Sequence, residues 1–169
     1  MNDFSRDPVL LDVRNLSVDF LSADGAPVRA LEDISLTLHE GELFGVVGES
    51  GCGKTTLMLS LMRLLPATGR IVSGQVNFIG QDLLALKEDE MADLRGKNIA
   101  MIFQGAMNAL NPVRTIGDQI AEAIVRHNLA ADKTTLDNRV SELLDLVGIG
   151  SNRKSQYPHQ YSVACASGP

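Results

Sequence analysis

LFGVVGESGCGKTTLMLSLMRLL, residues 43–65, decides the fold class. Residues 43–47 are a short apolar run of the kind that forms a strand buried on both faces. Gly48-Glu49-Ser50-Gly51-Cys52-Gly53-Lys54-Thr55 then fits GxxxxGK followed by Ser or Thr. Leu57, Leu61, Leu64 and Leu65 recur at helical spacing, and Pro66 and Gly69 end that helix. Strand, glycine-rich loop and helix in this order form a cradle for phosphate. The glycines let the loop wrap so that successive backbone N–H groups face one point. The helix start adds unpaired donors and a positive dipole end. Lys54 is placed to reach the β- and γ-phosphates of a nucleoside triphosphate, and the Thr55 hydroxyl to bind Mg²⁺. Cys52 holds a free position in the loop. It is either a small residue that fits, or a thiol made reactive by the helix start and Lys54.

Outward from the loop, residues 9–20 and 28–38 alternate and read as two strands around a turn at 22–27. Residues 71–79 read as a strand and Gly80-Gln81-Asp82 as a turn. A charged helix is expected over 87–95 and a second buried strand over 98–103. After an irregular loop at 104–115 come two amphipathic helices, 116–127 and 134–147. The second carries an apolar stripe of Leu136, Val140, Leu143, Leu144 and Val147, and Gly148 and Gly150 end it. This order fits an α/β P-loop core with an antiparallel β addition and a helical appendage.

The chain has 169 residues, about one domain's worth, with 44% hydrophobic and 21% charged residues, a globular balance. Its net charge of −6 argues against blanketing phosphate backbones, so no nucleic-acid partner is expected. Two cysteines form no disulfide framework and fit a reducing compartment. No apolar run is long enough to span a bilayer, and the start lacks a basic region ahead of an apolar stretch. The expectation is a soluble, cytoplasmic chain. His39, His127 and His159 show no metal-ligand spacing.

LLDVRNLSVDF near the start, VVGESGCGKTT at the loop, IAMIFQGAMNALNPVRTIGDQI at 99–120 and YPHQYS at 157–162 together resemble the ATP-binding subunits of ABC transporters. The narrower resemblance is to the dipeptide, oligopeptide and nickel importer group, and it runs from about Leu10 to Ser162. The loop is common to many P-loop proteins. The FQ…LNP stretch followed by YPHQ is the specific part.

The resemblance implies the N-terminal half of an ABC nucleotide-binding domain. It implies ATP held with Mg²⁺ by the loop from Gly48 through Thr56, and hydrolysis that powers uptake of peptides or a related solute. Phe20 matches the aromatic that stacks on adenine, and a core strand Phe is the other reading of that position. Gln104 matches the glutamine that binds Mg²⁺ or the attacking water and couples to the membrane partner. Lys54 and Gln104 are then the residues of the chemistry. Implied partners are transmembrane permease subunits, docked by the helical segment 116–150, and a second, homologous ATP-binding subunit. A periplasmic or extracellular solute-binding protein would act indirectly. The implied location is the inner face of the cell membrane, as a peripheral protein. Another P-loop class, a GTPase or small-molecule kinase, would need a base-specific or acceptor motif, and none is found.

The family pattern is departed from after Ser162. A signature loop (Ser-Gly-Gly-x-x-Gln), an apolar strand ending in Asp-Glu and a later switch histidine are expected, and Val163-Ala164-Cys165-Ala166-Ser167-Gly168-Pro169 stands instead. The family continuation GGMRQRA, written GGT GGC ATG CGC CAG CGG GCC, reads VACASGP once its leading G is deleted. A one-nucleotide frameshift is therefore expected at this point, with a truncated gene copy as the alternative. The expected division is 1–103 as β subdomain and incomplete P-loop core, 104–162 as Q-loop and helical subdomain, and 163–169 as an out-of-frame tail. On this expectation the chain alone is a nucleotide-binding fragment without turnover.

Overall fold

The computed structural model describes residues 8–103 and 110–161. They fall into two compact units that divide between Arg95 and Gly96. The first is an antiparallel sheet with two helices. Strands β1 (Val9–Leu21), β2 (Pro27–His39), β3 (Gly69–Phe78) and β4 (Gln81–Asp82) lie in the order β2-β1-β3-β4. β1 is central and antiparallel to both neighbours, with Val13 opposite Leu36 on one side and Val76 on the other.

Simple alternation would bury every second residue of β1. The strand instead buries Leu16, Ser17, Val18 and Asp19 in succession. The cause is a bulge, because the register of β1 shifts between 13 and 18 against both partners and Asn15 takes φ 48°. Gly74 makes the bulge possible. It sits at φ 106°, and a Cβ there would lie 2.5 Å from the Leu16 Cα. The polar groups that the bulge buries find partners. The Ser17 hydroxyl accepts the Asp33 N–H at 3.0 Å, and Arg29 Nε donates to the Asp19 carboxylate at 2.5 Å.

The expected turn at 80–82 is partly strand. Ile79 and Gly80 (φ 49° and 77°) make the reversal, and Gln81 and Asp82 pair back onto Phe78 and Asn77. Helix α1 (Lys54–Leu61) is shorter than the pattern implied, with Met62 closing it. Its end is stapled by two arginines. Arg63 Nη1 donates to the Leu83 and Leu86 carbonyls, and Arg95 donates to the Met62 and Arg63 carbonyls. Helix α2 (Glu88–Leu94) starts with the Glu90 carboxylate accepting the Lys87 N–H at 2.8 Å.

Two expected strands do not form. Residues 43–47 are neither strand nor buried: Leu43 is 98% and Val47 94% exposed. Residues 98–103 carry only an isolated bridge at Ile99, and Ile102 is 94% exposed. A strand apolar on both faces needs a ladder on each edge to satisfy its backbone. Among the described residues neither segment has a strand beside it.

The second unit holds α3 (Ile116–Arg126), α4 (Lys133–Leu146), a 3₁₀ turn (Ser151–Arg153) and the short α5 (Pro158–Tyr161). Thr115 caps α3 by accepting the Asp118 N–H, and Asp132 caps α4 by accepting the Thr135 N–H. Both helices stop on a left-handed residue, Asn128 and Gly148. The Leu129 and Ile149 N–H groups reach back to the Ile124 and Leu144 carbonyls. Ile116, Ile124, Val140, Leu144 and Tyr161 form the core, with Leu136 and Leu143 against it. Val147, expected in the stripe, lies beyond the helix end and is exposed. The Tyr161 hydroxyl donates to the Arg153 carbonyl at 2.7 Å while the Arg153 guanidinium lies over its ring, and burial pushes the phenol's pKa up.

Candidate functional site

The glycine-rich loop Gly48–Thr55 lies in the first unit, between the exposed segment 43–47 and α1. Gly51 and Gly53 adopt φ 83° and 93°, conformations that an L side chain resists. Gly53 is also the residue before α1, and it offers no side chain to cap the helix. The first-turn N–H groups of α1 and the positive end of its dipole therefore face the loop. Gly53 is pressed onto the sheet: a Cβ there would lie 2.7 Å from Leu31 Cδ2 and 3.0 Å from the Ala30 carbonyl oxygen. At the other end, a Cβ on Gly48 would lie 2.6 Å from Cys52 Sγ. A side chain at either position would fill or displace the cradle.

Lys54 spans the concavity. Its ammonium donates to the Gly48 carbonyl at 2.7 Å, to the Glu49 carbonyl at 2.6 Å and to Cys52 Sγ at 3.3 Å. Thr55, Ser50 and Cys52 are exposed, and Thr56 is half-buried and accepts the Ser60 hydroxyl at its carbonyl. The Thr55 hydroxyl makes no hydrogen bond among the described residues. A cradle of glycines, an uncapped helix start, one ammonium and one open hydroxyl fit a polyphosphate and a hard divalent cation, which takes oxygen ligands.

Phe20 lies at the end of β1, opposite Val28 of β2 and Gly69 of β3. It is half-buried. Its ring covers Gly69, where a Cβ would lie 2.8 Å from Phe20 Cε1. The structure thus gives Phe20 a sheet-end position with part of the ring open, and brings the loop onto the neighbouring strand β2. Gln104, Ser162 and the tail 163–169 lie outside the described residues. Sequence reasoning did not find Ala30 and Leu31 as the seat of the loop. That contact joins residues far apart in sequence, and no local pattern announces it.

A family model described as ABC transporter matches residues 31–166, which takes in the loop, β2 from Leu31 on, β3 and the helices of the second unit. The chain belongs to the ABC transporter family. Within that family it is 44% identical over 156 residues to the dipeptide transport ATP-binding protein DppD of Bacillus subtilis (strain 168), covering 90% of this chain and 46% of that protein. DppD of Escherichia coli (strain K12) matches at 44% over 155 residues, with 90% and 47% covered. The oligopeptide transport ATP-binding protein OppD of B. subtilis matches at 40%, with 90% and 43% covered. The chain spans about half the length of these curated relatives.

Among solved structures, the dimeric ABC transporter cassette MJ0796 aligns with TM-score 0.77 at 22% identity, over 89% of this chain and 62% of that one. A post-hydrolysis dimer of MJ0796 bound to ADP and Pi aligns with TM-score 0.74 at 20% identity, with the same coverage. The fold is that of the ABC nucleotide-binding domain, mixed α/β with an antiparallel sheet.

Proposed function

We propose that this chain carries the nucleotide-binding half of an ATP-binding subunit that powers import of peptides or a related solute. The observation that supports it most directly is Lys54, held across a loop of glycines at the uncapped start of α1. On this reading the loop from Gly48 through Thr56 holds the phosphates. Lys54 exchanges its two loop carbonyls for β- and γ-phosphate oxygens, and Thr55 donates an oxygen to Mg²⁺. Phe20 stacks on adenine, and Gln104 completes the Mg²⁺ and water site. The partners are permease subunits at the inner face of the membrane and a second ATP-binding subunit, with a solute-binding protein acting through the permease. The relatives named for dipeptide and oligopeptide transport support the solute class.

Binding of a fluorescent ATP analogue with Mg²⁺ tests the reading. Saturable binding is expected, with Lys54→Ala weakening it by about tenfold or more and Thr55→Ala removing its Mg²⁺ dependence. Equal affinity of the parent chain and Lys54→Ala sinks the assignment.

A second reading, nucleotide binding without turnover by this chain alone, draws on the exposure of 43–47, the segment that leads into the loop. Phosphate release from ATP separates the two. Release by the purified chain that Lys54→Ala abolishes rejects the second reading, and binding with no release rejects turnover by the isolated chain.

A further inference from the structure

Two apolar runs stand without a ladder, and they carry opposite charges at their ends. In the first unit, the N–H groups of residues 43–47 meet no backbone carbonyl among the described residues, and Leu43 and Val47 stand almost wholly in solvent. In the second unit the same holds for the N–H groups of residues 100–103, and Ile102 is exposed to the same degree. Both runs are uncharged, lack proline and contain strand-forming Val, Ile or Phe. An exposed run of that kind is a template for a strand of another chain.

Charge selects the partner. The first run lies between Glu40 and Glu42 on one side and Glu49 on the other. The Glu42 carboxylate accepts the His39 N–H, and the carboxylates of Glu40 and Glu49 form no ion pair among the described residues. Against these three glutamates stands the ammonium of Lys54, which is held on the Gly48 and Glu49 carbonyls, so a negative excess remains. The second run follows Arg95 and Lys97. Arg95 is held by Glu88 and by the Met62 and Arg63 carbonyls, whereas the Lys97 ammonium forms no ion pair among the described residues. Two copies of 43–47 side by side would set carboxylate against carboxylate, and like charges across a ladder are destabilising. One run of each kind sets Lys97 beside Glu42 when parallel, and beside Glu49 when antiparallel.

We propose that the chain self-associates by pairing residues 43–47 of one copy with residues 100–103 of a second copy, Lys97 meeting a glutamate of the first run. The contact is head-to-tail, because the two runs differ. A ladder this short is weak, so the dilute chain is monomeric and its two runs exchange freely. The inference stands whether or not the loop binds nucleotide.

Sedimentation velocity of the full chain from about 5 to about 500 μM tests it. The weight-average mass should rise with concentration. Leu43→Lys and Ile102→Lys should each hold the chain monomeric. Both positions are almost wholly exposed, so neither substitution disturbs the core. Each variant keeps one run intact, and an equal mixture of the two should form a heterodimer. Lys97→Glu should weaken association about fivefold or more. A parent that stays monomeric at about 500 μM, or a single variant that associates like the parent, would overturn the proposal. So would a mixture that stays monomeric, or unchanged association in Lys97→Glu.

Discussion

β1 and the segment 43–47 are both rich in Leu and Val, and they meet opposite fates. Val13, Leu16 and Val18 of β1 are almost wholly buried, whereas Leu43 and Val47 are almost wholly exposed. The difference does not lie in hydrophobicity. β1 has an antiparallel partner on each side within the same unit: β2 across the turn at 22–26, and β3 beyond the glycine-rich loop and α1. Residues 43–47 have no ladder among the described residues. An apolar run becomes a strand only where its N–H and C=O groups are also satisfied, because each unpaired buried group costs about as much as the burial of a small side chain returns.

The comparison breaks most sharply at Gly74. Gly74→Val puts a branched side chain at φ 106° against the Leu16 backbone, so the bulge of β1 cannot form. A loss of about 3 kcal/mol or more is expected in urea unfolding, enough to unfold a marginal sheet. Next come matched truncations. Val18→Ala should cost about 2 kcal/mol, and Val47→Ala less than about 0.5 kcal/mol. Equal losses would mean that 43–47 is packed in solution. Hydrogen exchange sharpens the same point without mutation. The Val13 and Val18 amides should exchange only with global opening, and those of 43–47 near the rate of an unstructured chain.

The smallest effect concerns a cap. The Thr135 N–H and hydroxyl hold the Asp132 carboxyl below the ordinary aspartate range. A depressed folded-state value stabilises α4 above the unfolded pKa, and that contribution fades as pH falls through the folded one. In an NMR titration Asp132 should therefore titrate below a free aspartate, with the Thr135 amide moving at the same midpoint.

Much of this was legible in sequence because it is local. Helix periods, the stop at Gly148 and the three long strands all follow from spacing and turn chemistry. What sequence alone misplaced is non-local. The strands expected at 43–47 and 98–103 were read from composition, but whether a ladder reaches them depends on distant residues. The bulge at Asn15 was also missed, because Gly74, which permits it, lies on another strand. The phosphate loop was fully visible as a motif, and its seat on Ala30 and Leu31 was not.

That seat has a consequence for how a nucleotide would be gauged. Gly53 rests on β2, and β2 pairs with β1, whose far end carries Phe20. On the proposed reading, the jaw that grips the phosphates and the platform for the base belong to one hydrogen-bonded ladder. The span between them is then a fixed caliper, set by the count of residues between Phe20 and its β2 partner Val28 and from there to Ala30.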